Sequence, residues 1–434
     1  MLMGNLMVRP ELNGQSASGS SLRFILSAST SAFLVYFCMY AFRKPFAVGI
    51  FDDVQDFAIS YKVVLVLAQL IGYASSKFIG IKVISELTAA HRPWMIIALV
   101  LVAELALLGF ALVPPPYNFV LLFFNGLPLG MIWGLVFSYL EGRRTTELLA
   151  AILSSSFILA SGVTKAVGKY IMLEFAVSQY WMPFVTGALF LLPLFLSVWW
   201  LNQVPAPTPD DIRARHVREA MTSEDRRRLL YGAWPGLLAI VVMYFFLTAF
   251  RDYRDNFAAD IFNEIGLSGN FRIFAETELW VAVLSLLIMA SFILIRNNLK
   301  AVQIVIGIMA ASMLLLAGST YFYRAAILDD PFWWIVLVGL GAYIAYIPVG
   351  SMLFERLIAC LRYKSNAGFL IYIADAMGYV GSILVMLYQT FVYQGDSILA
   401  FFIQFSYLTA LIGFIGLGFA FVYFSRVIPA QPTA

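Results

Sequence analysis

Mainly apolar stretches long enough to cross a bilayer recur twelve times along this 434-residue chain, at approximately 22–51, 60–87, 94–113, 118–141, 147–172, 180–203, 234–262, 272–295, 299–321, 331–356, 365–391 and 397–425. A spanning helix needs roughly 20 such residues, whereas a spanning β-strand shows about 10 in alternation. The lengths and unbroken character of these stretches match the helix. Hydrocarbon offers no partner to a backbone N–H or C=O, so each stretch is predicted to close its hydrogen bonds on itself. The fold class predicted is an all-α membrane protein of twelve transmembrane helices. With 62% apolar and 12% charged residues, the chain lies outside the range of a soluble domain of this size.

Basic residues orient the segments. With the N-terminus in the cytoplasm, 18 Lys and Arg fall in cytoplasmic connections and tails, 3 fall outside (Lys62, Arg272, Arg324) and 7 lie within segments. That asymmetry predicts a multi-pass protein of the cell (inner) membrane with both termini cytoplasmic. The external connections are acidic, with Asp52, Asp53, Asp56, Asp260, Glu264, Asp329, Asp330 and Asp396. The first twenty residues are polar and lack the apolar core of a signal peptide. Cys38 and Cys360 fall in different halves and read as packing residues. A net charge of +3 gives no reason to expect a nucleic-acid partner, and the expected state is a monomer in the lipid bilayer. Both histidines, His91 and His216, fall in predicted loops, and no Gly-x-x-x-x-Gly-Lys loop occurs. Neither an enzyme nor a bound metal or cofactor is expected.

The chain is also duplicated. Residues 35–43, Val-Tyr-Phe-Cys-Met-Tyr-Ala-Phe-Arg, return at 243–251 as Met-Tyr-Phe-Phe-Leu-Thr-Ala-Phe-Arg. Ser60-Tyr61-Lys62 is answered by Asn270-Phe271-Arg272, and Tyr139-Leu140-Glu141 by Leu353-Phe354-Glu355. Between segments six and seven the apolar pattern stops at Pro205-Ala206-Pro207-Thr208-Pro209, and six arginines follow (Arg213, Arg215, Arg218, Arg226, Arg227, Arg228). Thr208 and Pro209 suit a helix start, Thr222 with Asp225 suits another, and the arginines read as a cytoplasmic tether. The predicted layout is a cytoplasmic tail 1–21, a six-helix bundle 22–203, a linker 204–233, a second six-helix bundle 234–425 and a tail 426–434. Two six-helix halves in parallel repeat are the arrangement of the major facilitator fold.

A charge at membrane depth costs about 2.5–3.5 kcal/mol on insertion scales and usually faces a cavity or a partner. Segment one places Tyr36, Tyr40, Arg43 and Lys44 on one predicted helix face, and segment seven does the same with Tyr244, Thr248, Arg251 and Asp255. Guanidinium carries forked donors and keeps its proton, which suits bidentate binding of phosphate or carboxylate. Arg251 has acids beside it, Asp252 and Asp255, whereas Arg43 is followed by none before Asp52. Lys77, four residues past Tyr73, either faces the same cavity or snorkels to the cytoplasmic edge. Lys165 and Asp375 are candidates for coupling or salt-bridge roles together with Asp255, while Glu104, Glu276 and Glu278 are expected near helix ends or in local pairs. Gly126, Gly130, Gly134, Gly339, Gly341 and Gly350 permit close helix approach, and Pro128 and Pro348 predict kinks.

Several of these stretches resemble the organophosphate:phosphate antiporter branch of the major facilitator superfamily. They are Tyr36, Tyr40, Arg43-Lys44 and Phe46-Ala47 in segment one, Tyr73-Ala74-Ser75-Ser76-Lys77 in segment two and Gly130-Met131-Ile132-Trp133 in segment four, with Tyr346-Ile347-Pro348 and Gly378-Tyr379-Val380-Gly381 in segments ten and eleven. The resemblance implies a secondary transporter of a small anionic, phosphorylated solute. It implies that Arg43 and Arg251 grip the phosphate, with Tyr36, Tyr40, Tyr73, Lys77, Trp133 and Tyr244 around them. A proton-coupled carrier using Asp375 or Asp255, and a non-transporting sensor of the same fold, are the alternative readings.

Overall fold

A computed structural model describes residues 22–54, 59–143, 145–208, 223–267, 269–292, 295, 297–361, 367–393, 395 and 397–428. The predicted tail 1–21, the part of the linker holding Pro209, Arg213, Arg215, Arg218 and Thr222, the loop acids Asp56 and Asp396, and residues 429–434 lie outside the described residues.

The helices in chain order are α1 (Leu22–Tyr40), α2 (Tyr61–Glu86), α3 (Arg92–Leu112), α4 (Phe119–Leu129), α5 (Ile132–Leu140), α6 (Thr146–Glu174), α7 (Met182–Asn202), α8 (Ser223–Asn256), α9 (Ala258–Glu264), α10 (Ile273–Phe292), α11 (Asn298–Arg324), α12 (Pro331–Pro348), α13 (Phe354–Leu361), α14 (Ala367–Phe391) and α15 (Ile398–Val427). Short 3-10 turns occupy Pro45–Val48 and Ala89–His91, and a π turn occupies Val349–Leu353. Among the described residues, 12 helices are long and apolar enough to cross a membrane and no strand occurs, which is the predicted fold class.

Two spans are interrupted where proline predicts it. Pro128 lies inside α4, and the span breaks at Gly130–Met131 before resuming as α5. Pro348 ends α12, and the π turn follows before α13. In both places proline withholds an N–H from the ladder and crowds the carbonyl four residues earlier. The start of α8 extends beyond the predicted segment, because Glu224 and Asp225 occupy its first turn and Glu224 pairs with Arg228 at 2.5 Å.

The chain divides into two compact units, Met1–Val217 with Ser268–Glu276, and Arg218–Leu267 with Thr277–Ala434. In the first unit α2 packs most extensively on α4. A Cβ at Gly72 would stand 2.2 Å from the Phe123 carbonyl oxygen, and one at Gly126 would stand 2.2 Å from that of Gln69. The two glycines therefore let backbone touch backbone, the packing mode that replaces hydrophobic drive inside lipid. At one end of this unit the Gln179 side-chain oxygen accepts the amides of Ile50 (3.1 Å) and Phe51 (3.0 Å), and its nitrogen donates to Asp53 at 2.9 Å. Phe51 holds a left-handed φ of 57° there, and its ring packs against Tyr61, Phe110 and Tyr180.

In the second unit α8 packs on α14 and α15, while α11 packs on α12 and α15. Aromatic rings fill the seams. Phe250 stacks on Phe402 at 5.1 Å, and Trp334 stacks on Tyr323 at 4.1 Å. Offset or stacked pairs of this kind add roughly 0.5–1.5 kcal/mol beyond their buried area.

Candidate functional site

The first unit builds its cationic cluster on a turn. Helix α1 stops at Tyr40, and the chain tightens so that Arg43 N–H (3.0 Å) and Lys44 N–H (2.9 Å) both donate to the Tyr40 carbonyl. Pro45, the first residue of the next 3-10 turn, has no amide to continue an α-helix. The predicted common helix face therefore ends at Tyr40, and Arg43 and Lys44 are presented by the turn instead.

Leaving the helix frees backbone carbonyls that must be paired away from water. Asn125 on α4 donates to the carbonyls of Phe42 (2.9 Å) and Ala103 (3.1 Å). Gln69 on α2 donates to the Arg43 carbonyl (2.9 Å) and to the Asn125 side-chain oxygen (2.8 Å). Two amide side chains thus fasten the turn to α2, α3 and α4.

The turn is held with Arg43 buried at 4% exposure and its guanidinium carbon 3.7 Å from the centroid of the Tyr73 ring. Tyr40 presents a second ring at 6.0 Å and meets Tyr36 edge to face at 5.5 Å. Lys77, half-buried one turn beyond Tyr73, has its Nζ 5.5 Å from Tyr73 and 5.8 Å from Trp133. Trp133 in turn stacks on Phe137 at 4.9 Å. The predicted residues Tyr36, Tyr40, Arg43, Tyr73, Lys77 and Trp133 thus form one connected group, with two cations near the Tyr73 ring. Each cation–π contact contributes about 0.5–2 kcal/mol, most where water is excluded. Lys165 stands buried on α6.

The matching stretch of the second unit differs in backbone and in charge. Helix α8 runs unbroken to Asn256, so Arg251 is a helical residue. Its Nη2 pairs with Asp252 Oδ1 at 2.7 Å, and the other Asp252 oxygen accepts the Ser382 hydroxyl at 2.7 Å. The guanidinium carbon lies 4.2 Å from the Tyr346 ring, which stacks on Tyr244 at 4.9 Å. Tyr244 donates to Asp375 Oδ1 at 3.0 Å. Tyr244, Arg251 and Asp375 are therefore in one group, and Asp255 is buried one turn beyond Arg251.

A further ion pair crosses this unit. Arg254 Nη1 meets Glu278 Oε1 at 2.6 Å, and its Nη2 donates to the Ile335 carbonyl at 3.3 Å. A Cβ at Gly339 would stand 2.7 Å from that guanidinium, so the glycine makes its berth. Glu278, expected near a helix end or in a local pair, lies six residues into α10 and is tied to another helix, a partner that only folding brings near. Glu104 also departs from expectation. It sits in the middle of α3, 5% exposed, and neither carboxylate oxygen makes a hydrogen bond among the described residues. Gln69, Asn125 and Ser382 went unremarked in the sequence. Their only signal there is an amide or hydroxyl within an apolar segment.

Against solved structures, the chain shares the fold of a D-xylose–proton symporter, with a TM-score of 0.60 at 15% identity, covering 93% of this chain and 97% of that one. A peptide transporter POT aligns with a TM-score of 0.62 at 13% identity, over 94% of this chain and 96% of the other. The human organic anion transporter MFSD10 aligns with a TM-score of 0.55 at 11% identity, over 92% and 99%. These likenesses establish the major facilitator fold. A search of curated protein sequences returns no match. Residues 45–427 match a family described as a family of unknown function, DUF5690.

Proposed function

We propose, from the major facilitator fold, that this chain, which belongs to the DUF5690 family, is a secondary active transporter of a small anionic solute, with inorganic phosphate and organic phosphates as the first candidates. Transport is by alternating access, in a cell membrane, with both termini on the cytoplasmic side as the basic loops favour. The solved structures of this fold described above are those of a symporter and two transporters, which supports the class of activity.

One observation carries the choice of an anion: Arg43 and Lys77 both approach a single ring, Tyr73, 3.7 and 5.5 Å from its centroid. A guanidinium can stack through its face while its N–H donors, which lie in its plane, point from its edge. That edge is the direction of a bidentate contact to phosphate or carboxylate. Lys77 adds a compact charge on a flexible stem, 5.5 Å from the centroid of the same ring. Arg251 of the second unit pairs with Asp252 at 2.7 Å. On the gathering of two cations at one ring we assign primary anion binding to the Arg43 cluster and a modulating role to Arg251. A ligand drives the cycle only through its differential affinity for the two states, so the anion is held more tightly in the occluded one.

Counterflow of labelled phosphate and of organic phosphates in proteoliposomes tests the reading. The expected result is saturable exchange that Arg43→Gln abolishes while the protein remains folded. Exchange absent from the wild type, or equal in wild type and Arg43→Gln, overturns it.

A further inference from the structure

Glu104 stands apart from the acids considered so far. It occupies the middle of α3, a span with no other charged residue after Arg92, and is 5% exposed. Both its oxygens lie buried, without a hydrogen bond or ion pair among the described residues. Its surroundings are fitted to it: a Cβ on Gly187 of α7 would fall 2.2 Å from Oε2, and 3.0 Å from the Phe42 ring. Glu104, Gly187 and Phe42 therefore converge at one point, with the carboxyl filling the space a side chain on α7 would take.

The helices packed against α3 carry no charged residue. Helix α4 contributes no titratable group and α5 only Tyr139, which points to Asn202. Helix α7 contributes none, and the 3-10 turn before α3 contributes His91, hydrogen-bonded to Thr88 at the exposed end. The turn after α1 carries Arg43 and Lys44; Arg43 lies against Tyr73, and neither cation hydrogen-bonds the Glu104 carboxyl. An ionised carboxylate in such a place bears its full desolvation cost, whereas a protonated one does not.

We propose that Glu104 is a proton-binding site of the first unit, protonated while α7 stands against it and ionised when α3 and α7 part and admit water. The site adjoins the anion cluster through the backbone. Phe42, which touches the Glu104 pocket, precedes Arg43, and Asn125 ties the Phe42 carbonyl to that of Ala103, the residue before Glu104. A movement that loads or releases the proton thus acts on the turn that presents Arg43. This coupling role rests on the transport reading above, whereas the proton site itself does not.

Infrared difference spectra of the protein in liposomes, recorded between neutral and alkaline buffer, test the site without any substrate. The wild type is expected to lose a protonated-carboxyl C=O band that shifts in D2O, and Glu104→Gln, which preserves the shape, is expected to lack it. Gly187→Ala displaces the carboxyl and moves the titration to lower pH. A band that persists in Glu104→Gln, or no titrating band in the wild type, overturns the site. Coupling is read in vesicles loaded with a pH-sensitive dye under a phosphate gradient. Wild-type flux carries protons with it and Glu104→Gln moves phosphate without them, whereas equal proton movement in both overturns coupling. If the wild type moves no phosphate, the substrate assignment fails while the infrared titration still decides the proton site.

Discussion

Replacing Asn125 by leucine removes the clamp on the Arg43 turn and leaves the residue's volume nearly unchanged. Three hydrogen bonds go at once: those donated to Phe42 and Ala103, and the one accepted from Gln69. At roughly 0.5–1.5 kcal/mol each, with the stranded carbonyls adding desolvation, the loss is about 3 kcal/mol. Gln69→Leu removes two bonds, to the Arg43 carbonyl and to Asn125, and one of them is shared with the first variant. The two substitutions are therefore expected to be less than additive by about 1 kcal/mol, as residues within one network are. Thermal or denaturant unfolding of the single and double variants in detergent measures this. The anion affinity of the Arg43 cluster should fall in the same order, because the turn no longer holds the guanidinium on Tyr73. Full additivity, or wild-type stability in Asn125→Leu, would refute the clamp.

Two further expectations concern other parts of the molecule. Arg254→Gln leaves Glu278 buried without its partner, which costs about 3–5 kcal/mol, and replacing both residues by apolar side chains of similar volume restores most of it; unfolding midpoints that rank the double variant below Arg254→Gln would contradict the pair's role. Gln179→Ala removes the acceptor of the Ile50 and Phe51 amides, and because water reaches this corner the loss is under about 1.5 kcal/mol. Hydrogen exchange at those two amides should accelerate while the interior of α2 and α6 keeps its protection, and unchanged exchange would argue against the corner.

The two copies of the Ala-Phe-Arg phrase have different local structures. Pro45 follows the first within two residues and turns the backbone, whereas nothing interrupts α8 after the second until Asn256. The repeat is plain in the sequence, and so is the excess of acids around Arg251. Which of them answers the arginine is not, since Asp252 is adjacent in sequence and Asp255 is one turn away. The structure pairs Arg251 with Asp252, and the fold brings Ser382, 130 residues on, to the other oxygen of that acid.

Sequence alone determined the number of spans, their helical nature and the two proline breaks, because hydrocarbon solvent obliges every backbone group to pair within its own segment. It also located the cations and rings of the candidate site, since charges are rare at membrane depth and stand out one by one. Partners were decided only by the tertiary structure. Arg254 meets Glu278 24 residues away, Asn125 reaches Phe42 across 83 residues, and Glu104 is left facing a glycine of α7. The physical reason is that the side-chain partners available to a polar group inside lipid are mostly on other helices, and apolar segments of similar composition do not state which of their neighbours they will touch.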